Sequence, residues 1–186
     1  LKNTSQLVDE IYELFQIEAV GIEGDITNEK SVIELKNRIL SDFKKIDILI
    51  NNASINPTVE NDNLNIGDLK NFSLDQWNNE LAVGLTGAFI CSKVIGEEMA
   101  SNNGGVIVNI SSDLGLIAPD QRIYQKSDHP NENMIKPITY SVIKHGIIGM
   151  TKYLSTYWLD KNIRVNALCP GGVLNNQSKD FVEKVS

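Results

Sequence analysis

Short apolar runs alternate with segments of helical period along most of this chain, and that order leaves few ways to fold. Residues 19–25 form a short apolar run ending in turn residues and are expected as a first strand, after which Val32, Leu35, Ile39 and Phe43 recur at helical spacing. A second buried run covers 46–50, an Asn-rich loop follows, and a long helix is expected from about 73 to 100. Then come a strand at 106–110, a helix over 139–160 and a strand at 163–168 that ends in Cys169-Pro-Gly-Gly172. Strands joined by helices in this way predict a doubly wound parallel sheet with helices on both faces. An amphipathic helix precedes all of this over 4–15 and is already under way at Leu1, which is not Met, so chain is expected upstream. With no internal repeat or linker, the 186 residues read as one domain spanning 1–186.

Composition narrows the partners. The formal net charge is -7 and there is no basic cluster, which argues against nucleic acid and anionic membranes and leaves small metabolites. No run of about 18 apolar residues and no signal peptide is visible, so a soluble cytoplasmic protein is expected. Cys91 and Cys169 lie in apolar or turn-flanked segments without metal spacing and read as buried free thiols, which suits a reducing cytosol. Neither His129 nor His145 has a ligand-spaced neighbour, so a metal site built by the protein is not expected.

In doubly wound sheets ligands bind beyond the carboxyl ends of the strands. Asp25 closes the first run, Asn51-Asn-Ala-Ser54 the second, Ser111 and Ser112 the third, and Pro170-Gly171-Gly172 the fourth. Each alone is an ordinary turn composition; together they mark one edge. Next to them in the order of the chain stands Tyr140-Ser-Val-Ile-Lys144, in the first turn of the 139–160 helix. Its spacing puts a phenol and an ammonium on one helix face, one turn apart. A free phenol titrates near pH 10, and a neighbouring cation favours the phenolate, so such a pair suits proton transfer at an alcohol or carbonyl oxygen. A second pair of the same spacing, Tyr157 and Lys161, falls at the other end of the helix, where a lysine complements the dipole. That pair reads as structural. For Ser112 a turn hydroxyl is the alternative reading.

These residues, in this order from about Val20 to Val173, resemble the short-chain dehydrogenases/reductases of the single-domain type. The resemblance implies a Rossmann-like fold and NAD or NADP as cofactor, with Tyr140 as acid/base, Lys144 favouring its ionised form and holding the nicotinamide ribose, and Ser112 orienting the substrate oxygen. It further implies that Asn51, Asn52 and Ala53 support the sheet and lie against the cofactor. Asp25 and Ile26 would meet the adenine, and Pro170, Gly171 and Val173 would stand beside the nicotinamide. A homodimer or homotetramer is implied as well.

The chain departs from the family pattern in three places. The glycine-rich dinucleotide loop, with its helix and the following strand, is not in this sequence, so the first βαβ portion is lacking and the choice of NAD or NADP is unreadable. Gly84 stands where the family carries an active-site Asn; glycine still allows a kink there but offers no amide. The segment between Ser112 and Tyr140 is long, and its Arg122, Tyr124 and Lys126 are candidates for contacts to an acidic or sugar-like substrate, with a solvated loop as the equal alternative. This segment, together with residues 81–89 and 170–176, resembles bacterial members linked to flagellin glycosylation and nonulosonic-acid sugar pathways. The expected function is NAD(P)-dependent interconversion of an alcohol and a carbonyl on a small molecule. The alternatives are a non-catalytic NAD(P)-binding or regulatory protein of the same fold, and a sugar-nucleotide epimerase or dehydratase.

Overall fold

A computed structural model describes residues 2–55, 68–125, 135–174 and 179–185. Helices α1 (Lys2–Phe15) and α2 (Glu29–Phe43) are followed by strand β1 (Ile48–Asn51). The long central helix has three parts, α3 (Leu74–Leu81), a π-helical stretch Ala82–Gly87, and α4 (Ala88–Ser101). Strand β2 (Gly105–Ile110), helix α5 (Ile138–Tyr157), strand β3 (Ile163–Leu168) and helix α6 (Lys179–Val185) complete the order, with short 3-10 turns at Asp113–Gly115 and Gln121–Tyr124. Local chemistry sets several of these boundaries. The Asn28 side chain accepts from the amides of Lys30 and Ser31 at the start of α2, and Ser73 accepts from the Gln76 amide at the start of α3. Between α4 and β2, Gly104 adopts φ +93 in a turn where a Cβ would come within 2.1 Å of the Asn162 carbonyl oxygen, so only glycine fits.

The three strands pair in parallel in the order β1-β2-β3. Ile48 stands opposite Val106, and Gly105 opposite Ile163, so all three strands end at one edge. Ile107, Ile163 and Val165 point into a core completed by Ile95 and Met99 of α4, Leu154 of α5 and Trp158 just past it. Ala88, Ile143 and Ile147 form a second cluster where α4 crosses α5. The alternate strand positions Ile48, Ile50 and Leu168 are largely exposed, so one face of the sheet is read by period 2 as buried.

Two expectations are corrected. Residues 19–25 are not a strand: they pair with no strand among the described residues, and an extended run becomes a strand only when a neighbour takes up its amides and carbonyls. The two cysteines are free but half-buried rather than buried, because Cys91 sits at the edge of the stripe formed by Ala88, Ser92, Ile95 and Met99, and Cys169 lies just beyond β3. Partial burial still raises the Cys91 thiol above its ordinary value. Among the described residues, no helix is long and apolar enough to cross a membrane.

Candidate active site

The strand ends are locked together by a polar chain that runs through the core. Asn51 at the end of β1 donates to Ser92 Oγ of α4 at 2.9 Å and to Asn109 Oδ1 of β2 at 2.8 Å. Asn109, fully buried, donates onward to Thr151 Oγ1 of α5 at 2.9 Å, and that hydroxyl donates to the Ile147 carbonyl at 2.8 Å. Each of these buried polar groups has a partner, so the chain fixes the relative height of two strands and two helices. The Asn51 amide thus faces inward as a support, while Asn52 and Ala53 are exposed at the sheet edge.

Helix α5 is tied to the end of β2 at two points. Ser111 Oγ donates to the Lys144 carbonyl at 2.8 Å, and Lys144 Nζ donates to the Ile110 carbonyl at 2.9 Å. Lys144 is 7% exposed, and burial pushes its ammonium below the ordinary lysine value. Its Nζ lies 5.6 Å from the centroid of the Tyr140 ring. Tyr140 stands in the first turn of α5, half-buried, so the phenol and ammonium share one helix face as their spacing predicts.

Ser112, 5% exposed, stands two residues past the end of β2 and caps the Asp113–Gly115 turn by accepting from the Leu114 amide at 3.2 Å. Its hydroxyl donates to Asp113 Oδ1 at 2.7 Å. The turn-capping alternative is therefore present in the geometry, and Ser112 must rotate away from Asp113 before it can donate to anything else. Pro170 and Gly171 come alongside, since the Asp113 amide donates to the Pro170 carbonyl at 3.1 Å and a Cβ on Gly171 would lie 3.7 Å from Asp113 Oδ2. Val173 is 70% exposed just beyond. Asp25, fully exposed, accepts from the Thr27 amide and hydroxyl, and these bonds lower its carboxyl below the usual range. Ile26 packs toward Gly87 in the π-helical stretch, where a Cβ would come within 2.7 Å of its Cδ1.

The candidates of the long segment have different fates. Arg122 turns its guanidinium back onto Asp120, at 2.6 Å from Nη2 to Oδ2 and 2.9 Å from Nε to Oδ1, which holds the Asp120 carboxyl down at about 2. Its fork is thus engaged within the turn. Tyr124 packs its ring against Phe181 of α6 in a tilted pair, centroids 5.8 Å apart, and burial first, then the neighbouring Tyr140 and Asp113, raise its phenol. Lys126 lies outside the described residues. At the far end of α5, Tyr157 stacks on Tyr153 at 5.9 Å and Lys161 pairs with Asp160 at 3.1 Å, so that second pair serves the surface of the helix end.

Gly84 lies inside the π-helical stretch, buried, where a Cβ would meet Ile143 Cγ2 of α5 at 2.9 Å. The helix is locally widened without any side chain at this position. Replacing Gly84 with the family's Asn is expected to clash with a β-branched residue that cannot yield by rotation, costing about 1–3 kcal/mol. Urea unfolding should show Gly84→Asn destabilised by that amount and the Gly84→Asn, Ile143→Ala pair destabilised by less than the two single changes summed.

Residues 2–185 match the profile of the family described as enoyl-(acyl carrier protein) reductase, one of the short-chain dehydrogenase/reductase profiles. The chain belongs to the short-chain dehydrogenase/reductase family. An uncharacterized oxidoreductase of Thermotoga maritima is 33% identical over 168 residues, covering 90% of this chain and 56% of the relative. D-threitol dehydrogenase of Mycolicibacterium smegmatis is 28% identical, covering 83% of this chain and 50% of the relative. The solved structure of an NAD+-bound xylitol dehydrogenase superposes with TM-score 0.74 at 28% identity, covering 91% of this chain and 56% of that one. The short-chain dehydrogenase/reductase chain described here thus spans about half the length of these relatives, and its parallel sheet with packed helices is their Rossmann-like fold.

Three residues near the pair were not found by reading the sequence. Asp113 holds the Ser112 hydroxyl. Glu80, 3% exposed at the end of α3, accepts from Gln76 Nε2 at 2.9 Å and from the Thr139 hydroxyl, which ties α3 to the first turn of α5. Lys136 places Nζ over the Tyr140 ring, 3.8 Å from its centroid. The last had a signal: Lys136 precedes Tyr140 by the interval that separates Tyr140 from Lys144.

Proposed function

We propose that the full-length protein carrying this chain is a nicotinamide-dependent oxidoreductase that interconverts an alcohol and a carbonyl on a polyol or sugar-like substrate. The observation that supports it best is Tyr140 in the first turn of α5, beside a buried Lys144 anchored to the end of β2 and next to the Ser112 turn. The described residues suit the nicotinamide end of such a cofactor. Asn52, Ala53, Gly171 and Val173 are exposed on the edge that also carries Lys144, while Asp25 and Ile26 suit the adenine end. No glycine-rich loop within this sequence would hold the pyrophosphate. When bound, NAD or NADP supplies or accepts the hydride.

The chain's own residues then manage the proton. In oxidation the Tyr140 phenolate takes the substrate hydroxyl proton, and in reduction the phenol returns it, so no free alkoxide forms. Lys144 sets positive charge beside that oxygen and holds the cofactor ribose. Ser112, released from Asp113, donates to the substrate oxygen and orients it. The polyol preference draws on the named activities of two relatives, threitol and xylitol dehydrogenases. A small-molecule substrate, a cytoplasmic setting and a homodimer or homotetramer complete the proposal.

The Ser112–Asp113 bond and Gly84 favour a second reading, a nucleotide-binding protein of this fold without turnover. Nicotinamide absorbance separates the two readings. The full-length protein with a panel of polyols, sugars and simple carbonyls should change it in a way lost in Tyr140→Phe. Cofactor binding without any Tyr140-dependent change across the panel would establish the second reading. Light scattering on the same sample should give a dimer or tetramer mass.

A further inference from the structure

Lys136, Tyr140 and Lys144 follow one another at equal intervals, and the structure turns both ammonium groups toward the tyrosine. Nζ of Lys136 is 3.8 Å from the ring centroid and Nζ of Lys144 is 5.6 Å from it. We propose that Lys136 is a positioning residue for Tyr140, gripping the ring by its face and holding a second positive charge near the phenolic oxygen. The inference rests on the oxidoreductase reading given above, and it adds a group in a chain where Gly84 has replaced the family's Asn.

The placement of Lys136 is built. Its amide donates to Gln121 Oε1 at 2.9 Å and its carbonyl accepts from Gln121 Nε2 at 3.3 Å, so one side chain clamps both backbone groups. Pro137 follows, buried, with φ -57, and caps α5. The residue is thereby fixed at the point where the chain enters the helix, and Tyr140 lies one turn ahead. A cation on an aromatic face is attracted by the ring's electron density. That attraction grows when the phenol loses its proton, because the ring becomes richer in electrons. An interaction that strengthens with the charge formed during reaction is the kind that accelerates it.

The surrounding groups set the balance. Toward Lys136, burial is the largest influence and lowers its ammonium, the Lys144 charge lowers it further, and Glu80 of α3 acts in the opposite sense. Facing Tyr140 are Lys136 and Lys144, and Tyr124 from the Gln121–Tyr124 turn, itself beside Asp113. Tyr124 and Asp113 can contribute only negative charge, and among the described residues Lys136 and Lys144 are the cations placed against the Tyr140 ring.

The test uses the full-length protein with Lys136→Met, Lys136→Gln and Lys136→Arg. In the Met and Gln variants the pH at which kcat/KM for alcohol oxidation is half-maximal should rise by about one unit, since an opposite charge within about 4–6 Å moves a titration by roughly 1–3 units. Cofactor KM should stay unchanged, and Arg should restore the wild-type profile. A second readout needs no turnover: the alkaline rise of tyrosinate absorbance, taken as wild type minus Tyr140→Phe, should shift upward by the same amount in a Lys136→Met background. A profile and a tyrosinate rise that stay in place in folded Met or Gln variants would overturn the proposal. Cofactor binding by the wild type without turnover of any substrate would instead sink the oxidoreductase reading, and the absorbance titration would still report on Lys136.

Discussion

Tyr140→Phe in the full-length protein should lower kcat for alcohol oxidation by about 100- to 10,000-fold, the usual worth of a placed acid/base, with little change in cofactor affinity. The substitution removes one oxygen and keeps the ring. Everything that holds the ring in place survives: the first turn of α5, the Lys136 ammonium on its face, and the helix contact through Ser111 and Lys144. Since Lys144 Nζ is anchored on the Ile110 carbonyl rather than on the phenol, its place is also preserved. The loss should therefore fall on kcat and leave the unfolding midpoint within about 0.5 kcal/mol of wild type, as expected for a change that opens no cavity. Steady-state rates and a urea titration on the same preparation check both halves. A variant that kept its rate, or lost it only by unfolding, would remove Tyr140 from the chemistry.

Asn109→Leu should cost the fold about 3 kcal/mol, among the largest single changes this chain offers outside its apolar clusters. Asn109 is fully buried, accepts from Asn51 and donates to Thr151. Leucine has nearly the same shape but breaks both bonds, so the network that sets β1, β2 and α5 at a common height is cut in the middle. Asn51 keeps Ser92, and Thr151 keeps the Ile147 carbonyl, which limits the damage to those two bonds and the loss of their mutual support. The denaturant midpoint of full-length protein measures it. A cost below about 1 kcal/mol would mean that apolar packing alone keeps the strand ends in register.

Much of this architecture is legible in the residues because periodicity is local. The helix over Val32, Leu35 and Ile39 and the α5 helix follow directly from spacing, and strands β1, β2 and β3 follow from short apolar runs between turns. Strand identity is a different matter, since pairing is non-local. Residues 19–25 have the composition of a strand, yet they form none, because no described strand lies beside them. The site divides in the same way. Spacing finds Tyr140 with Lys144, whereas Lys136 is missed although it stands at the same interval on the other side of the tyrosine. Nothing in the order of residues says that the Ser112 hydroxyl is engaged by its neighbour Asp113, or that Arg122 spends its fork on Asp120, because those choices depend on turn geometry. Glu80 is the clearest case: a charged residue type that reads as solvated is held almost fully buried by Gln76 and Thr139.

Transfer of isotope tests the central claim most directly. A polyol deuterated at its carbinol carbon is incubated with full-length protein and oxidised cofactor, and the nicotinamide is then read by NMR. Proton chemistry at Tyr140 coupled to hydride transfer predicts deuterium on the nicotinamide ring in wild type and its loss in Tyr140→Phe. Unlabelled cofactor from a wild-type protein that binds it, across a panel of deuterated polyols and sugars, would contradict the account.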